Sequence, residues 1–76
     1  MKRSDITDEM VVLAYHIALT TKWADGWPYE TLARQTGAPE KVTFAACERA
    51  ERRGLIECGV SLRSGWLTAA GKALLP

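Results

Sequence analysis

Side chains that carry out chemistry in enzymes are scarce in this chain of 76 residues. There is one histidine, His16, and there are two cysteines, Cys47 and Cys58, with ten residues between them. A catalytic site needs a nucleophile with its base, a set of carboxylates or a metal centre, and structural zinc needs Cys and His in closely spaced pairs. None of these patterns occurs, and no glycine-rich loop leads into a helix to cradle a phosphate. The expectation is a chain that is not an enzyme, holds no cofactor or metal and turns over no small-molecule substrate. His16 falls at the edge of an apolar helical stripe, so a packed or rim imidazole is expected, with catalysis or pH sensing as the alternative. The two cysteines are expected to be reduced, packed thiols, with a disulfide or redox role as the alternative.

What remains is charge and shape suited to binding. Ten Lys and Arg against nine Asp and Glu leave a formal charge of +1, so no global basic field draws in nucleic acid. A nucleic-acid face must then come from local segregation. The densest basic stretch lies in residues 39–53, where Lys41, Arg49, Arg52 and Arg53 stand among Glu40, Glu48 and Glu51. Those glutamates count against DNA, because a carboxylate near phosphates is repelled unless it accepts from a cytosine amino group. Glu48 precedes Arg52 by four residues, the favourable order for a solvated helical pair.

The elements that must position these residues follow from the punctuation. One domain is expected over 1–76, with an ordered core over about 7–75, because a 47% hydrophobic composition with three tryptophans can build one core at this length. No apolar run approaches the roughly 18 to 20 residues that span a bilayer. The start Met1-Lys2-Arg3-Ser4-Asp5 leads into acidic residues, so the expected setting is cytoplasmic with no membrane partner. Thr7 or Asp5 caps a first helix with Asp8 and Glu9 in its opening turn, and Met10, Leu13, Ala14, Ile17 and Ala18 form an apolar stripe up to about Thr20. A loop over 23–27 ends in a very short strand. Pro28 starts a second helix that stops at Gly37, and Pro39 starts a third over 39–53 that stops at Gly54. Residues 55–58 and 65–68 are strand-like and flank 59–64 as a hairpin; Thr68 caps a last short helix over 69–75. Trp23, Trp27 and Trp66 are expected in the core or at its edge, with a stacking platform for single-stranded nucleic acid as the alternative.

The local phrases carry a resemblance. Leu32-Ala33-Arg34-Gln35-Thr36-Gly37 resembles a phrase of many bacterial helix-turn-helix proteins. Glu51-Arg52-Arg53-Gly54-Leu55-Ile56 and Leu67-Thr68-Ala69-Ala70-Gly71-Lys72-Ala73-Leu74 resemble the phrases that flank the wing in regulators similar to the MarR family. Together they cover about residues 8–75 and imply an α+β, mostly α fold: a winged helix-turn-helix with a three-helix core, a two-stranded wing hairpin and a short C-terminal helix. Ala50 stands where the family has a large aliphatic residue, and the wing is shorter, so the size is closer to the compact winged-helix proteins of bacteria and their phages.

The resemblance implies a small transcriptional regulator that reads duplex DNA with helix 39–53 and wing 59–65. At roughly 100° per residue, Val42, Thr43, Ala46, Ala50 and the stem of Arg53 are expected to face the core. Phe44, Glu48 and Glu51 then point away, with Lys41, Ala45 and Arg52 on one flank and Glu40 and Cys47 on the other. Phe44 so placed meets a thymine methyl, anchors a protein partner, or is buried by a different helix rotation. The expected DNA-binding residues are Lys41, Phe44, Ala45, Arg49 and Arg52 of this helix, and Arg63, Ser61 and Ser64 of the wing. Tyr29, Thr31 and Arg34 join them from the second helix. Lys2 and Arg3 form a basic arm or a plain terminus. The competing expectation is a winged-helix protein-interaction module, including a homodimer, that uses Phe44 and the acidic face of helix 39–53.

Overall fold

The computed structural model describes residues 5–24, 26–58 and 65–76. Among them the chain is α+β and mostly helical: α1 (Asp8–Thr20), α2 (Pro28–Thr36), α3 (Glu40–Arg52), β1 (Ile56–Glu57), β2 (Trp66–Leu67) and α4 (Ala69–Lys72). The order is compatible with a winged-helix layout. None of the described helices is long and apolar enough to cross a membrane.

Thr7 begins α1 in extended conformation, its Oγ1 accepting from the Met10 N–H at 3.2 Å, while Asp8 and Glu9 place negative charge at the positive end of the helix. Residues 10–15 and 17–19 are all apolar, so spacing alone does not choose which side goes inward. The side that does is Val11, Val12, Ala14, Tyr15 and Ala18. The expected stripe of Met10, Leu13, Ala14, Ile17 and Ala18 is therefore corrected: Leu13 is exposed, and Met10 and Ile17 are half-buried. Two contacts set the rotation, since Tyr15 is hydrogen-bonded to Cys47 and Asp8 pairs with Arg49, both on α3.

After α1 the backbone turns through left-handed φ values at Lys22 (54°) and Trp23 (66°), which residues carrying a Cβ seldom adopt. The Trp23 N–H closes the helix onto the Ala18 carbonyl at 2.8 Å, and the Trp23 and Trp27 rings meet at 5.3 Å. Trp27 is extended, but it is not the short strand expected there. Its N–H is taken by the Glu30 carboxylate at 3.0 Å, so it serves as the N-cap of α2 and the described sheet holds β1 and β2 alone. Pro28 in the first turn is buried, and Gly37 ends α2 in the left-handed conformation (φ 77°) that glycine adopts without steric cost.

Residues 37–39 connect α2 to α3, and the buried Thr43 fastens the pair: its hydroxyl donates to the Tyr29 carbonyl at 2.7 Å. β1 and β2 pair antiparallel in the register Ile56 with Leu67 and Glu57 with Trp66. Alternation sends Ile56 and Leu67 into the core and leaves Glu57 and Trp66 outside. Trp66, expected in the core or at its edge, is thus 45% exposed.

α4 is a single turn and does not reach residue 75; Leu74 and Leu75 pack half-buried beside the core after it ends. Thr68 is the fastener here. Its hydroxyl donates to the Gly54 carbonyl at 2.6 Å and accepts from the Gly71 N–H at 3.1 Å, and its own N–H donates to the Leu55 carbonyl at 3.2 Å. Gly71 lies so close to that segment that an added Cβ would fall 2.0 Å from the Leu55 carbonyl oxygen. The core between these elements is built from Ile6, Val11, Val12, Tyr15, Leu32, Ala46, Cys47, Ala50, Ile56 and Leu67 with their neighbours.

Candidate nucleic-acid interface

The rotation of α3 decides what it offers to a partner. Its buried residues are Thr43, Ala46, Cys47 and Ala50. Relative to the expected inward face, the helix is turned by roughly 50°: Cys47, expected on an exposed flank, is 1% exposed, whereas Val42 is only half-buried and Arg53 is open to solvent. Small residues make this possible. Ala46 and Ala50 let α3 approach closely, and Cys47 fills the space beneath Tyr15 as a small apolar group.

The consequence for the outward face is a change of residues. Directly opposite the core now lie Lys41, Ala45, Glu48 and Arg52, of which the three charged ones are exposed and Ala45 is half-buried. Phe44, expected to point away from the core, is half-buried and packs edge-on against Tyr29 with centroids 5.2 Å apart. Glu40 and Glu51 move to one flank. Lys41 and Arg52 have no ion pair among the described residues, and Glu48 does not pair with Arg52 as its spacing suggested.

Arg49 behaves differently from its neighbours. Its side chain is 14% exposed; Nε donates to the Asp8 carboxylate at 3.0 Å and Nη2 to the Ile6 carbonyl. Arg53 donates to the other oxygen of Asp8. One carboxylate at the start of α1 therefore holds two arginines at the end of α3. Burial opposes ionisation of Asp8, but the hydrogen bonds from Arg53 and Arg49 and their charges prevail and hold its pKa below 3.8. The sequence placed Asp8 as a helix-dipole residue and carried no signal that its partners lay some forty residues further on.

On α2, Tyr29 and Thr31 are half-buried and Arg34 is exposed. The Thr31 hydroxyl donates to the Trp27 carbonyl at 3.3 Å and accepts from Arg34 Nη2 at 3.4 Å, so Thr31 shapes the first turn and steadies Arg34. Arg63, Ser61, Ser64, Lys2 and Arg3 lie outside the described residues. Of the expected footprint, then, Lys41, Ala45 and Arg52 share one face, Phe44 and Tyr29 support it from the side, and Arg49 turns inward.

No family model, curated protein or solved structure matches this chain.

The remaining groups of reactive type are the two cysteines and His16. Both cysteines are free. Burial pushes the Cys47 thiol up to about 12 despite its hydrogen bond with Tyr15, and burial also raises Cys58, helped by the charge of Glu51. A thiol kept protonated is a poor nucleophile and a poor metal ligand. No group of His, Cys, Asp and Glu suited to a metal occurs among the described residues. His16 is exposed on α1 and lines a groove with Trp66 and Lys72.

Proposed function

We propose that this chain is a winged-helix DNA-binding protein, a non-enzymatic regulator of the small bacterial or phage type that lays the outward face of α3 in the major groove. The observation that carries the proposal is the composition of that face: Lys41 and Arg52 at its two ends, with Ala45 and Glu48 between them. Eleven residues of helix separate the two bases by roughly 16 Å, enough to reach phosphates on both sides of a groove about 12 Å wide. Ala45 lets the backbone approach base edges and touches a thymine methyl, and Glu48 accepts from a cytosine amino group. Lys41 and Arg52 therefore position the helix, and Glu48 supplies discrimination. Arg34 extends the phosphate contacts from α2, and Arg63, Ser61 and Ser64 extend them from the segment between the strands.

The packing of Phe44 on Tyr29 favours this reading over a protein-interaction module anchored on Phe44, because that ring is already half covered. Backbone amide shifts of labelled protein titrated with a duplex test the assignment. Lys41, Ala45, Glu48 and Arg52 should move first while Leu13 and Leu19 stay still; shifts confined to α1 would reject α3 as the reading helix.

A further inference from the structure

Among the described residues, the large apolar side chains most open to solvent are Leu13 and Leu19, each 38% exposed, and Trp66, 45% exposed. All three belong to α1 and β2. Leu19 and Trp66 wall a groove of about 340 Å³ whose other lining residues are His16, Leu67, Lys72 and Leu75. An apolar groove rimmed by the exposed Leu19 and Trp66 offers a place for something to dock. The charges on and around it indicate what.

Of the side chains lining the groove Lys72 carries positive charge, His16 is the other polar one, and none is a carboxylate. Along α1 the residues Glu9, Leu13, His16 and Thr20 follow one another at helical spacing on the outward side, and all four are exposed. That row is acidic at Glu9 and has no basic residue in its last turn; the cation beside its far half is Lys72 of α4, which lines the groove with His16 and Leu19. Neither Glu9 nor Lys72 has an ion pair among the described residues. A face with Glu9 at one end of α1 and Lys72 beside the other half is complementary to itself when turned end for end.

We propose that a second copy of this chain covers this face, with the two α1 helices antiparallel about a two-fold axis that passes between Leu13 and His16. Glu9 then lies level with the partner's Thr20 and within reach of the partner's Lys72, and symmetry makes that pair twice. Leu13 from each copy closes over the apolar centre, and the two Trp66 rings cover its edges. A free organic anion would satisfy Lys72 but leave Leu13 open, since Leu13 does not line the groove. The inference does not depend on what the outward face of α3 binds.

Sedimentation equilibrium of the full chain at low salt, from micromolar concentrations upward, tests the proposal. A reversible dimer is expected, which Leu13→Asp combined with Trp66→Ser converts to a folded monomer by circular dichroism. Glu9→Lys and Lys72→Glu should each weaken the dimer about tenfold, because both symmetric pairs are lost together, and the two combined should restore it. A monomer at every concentration would overturn the proposal. So would a dimer indifferent to Leu13→Asp with Trp66→Ser, or a combined charge swap no tighter than its single parents; these charge variants sit on exposed positions and remain informative should the apolar ones fail to fold.

Discussion

α1 and α3 are each thirteen residues long and each turns one side to solvent, yet those sides have little in common. α3 shows charges at both ends of a polar ridge, with an alanine in the middle. α1 shows two leucines, one of them beside a groove, with charge only in its first turn. The inner sides differ as well: α3 goes inward on a threonine, two alanines and a cysteine, whereas α1 goes inward on two valines, a tyrosine and two alanines. The difference lies in how each helix is packed. A helix that is apolar on every side contributes to the core wherever it is turned, and its leftover apolar surface is available to a partner. A helix with a narrow, small-residue inner side is held at close range, and its outer side is free to vary for recognition.

The docking of α4, which backs the apolar side, depends on Gly71. An alanine there would drive its Cβ into the Leu55 carbonyl, and Gly71→Ala should cost about 3 kcal/mol or abolish the α4 turn, measured by urea unfolding. An unchanged midpoint would mean that α4 does not pack as described.

Asp8 links the two helices. Asp8→Asn removes the carboxylate between Arg49 and Arg53 and should cost about 2 kcal/mol at neutral pH, because the Arg49 guanidinium is left covered and without its counter-charge. The pH dependence has a definite sign. With a folded pKa below the ordinary 3.8, Asp8 contributes stability that is full above that value and lost as pH falls through the lower folded one. Melting curves of Asp8→Asn should therefore fall less steeply below about pH 4 than those of the parent; parallel curves would remove Asp8 from the account.

A smaller pair of substitutions tests the rotation of α1 itself. Val11→Ala, on the inner side, should cost about 1.5 kcal/mol, while Leu13→Ala, on the outer side, should change monomer stability by less than about 0.5 kcal/mol. Reversal of that order would restore the stripe expected from spacing.

How legible this was in the sequence also differs between the two helices. The helix boundaries marked by Thr7, Pro28, Gly37, Gly54 and Thr68 were readable, because each depends on local stereochemistry that a residue type reports directly. The paired strands fell inside the expected runs 55–58 and 65–68, whereas the short strand expected at the end of 23–27 gave way to the cap at Trp27. The rotation of both long helices was not. On α1 nothing polar marks an outside between Glu9 and His16. On α3 the residues Val42 and Cys47 compete for the inside, and the choice falls to Cys47 because Tyr15 arrives above it from another element. Arg49 was placed in the DNA footprint by composition alone, whereas its partner Asp8 lies far away in the chain. Of the candidate site, the residue types were legible and their grouping was not.

The claim that the α3 ridge holds duplex DNA is tested most directly by fluorescence anisotropy of a labelled random duplex, with affinity followed against salt for the parent chain, Lys41→Ala and Arg52→Ala. Each phosphate contact adds about 0.9 to the slope of log affinity against log salt, so each variant should bind more weakly and lose roughly one unit of slope. Absence of binding at low salt, or equal slopes for all three proteins, would contradict the assignment of this ridge to DNA.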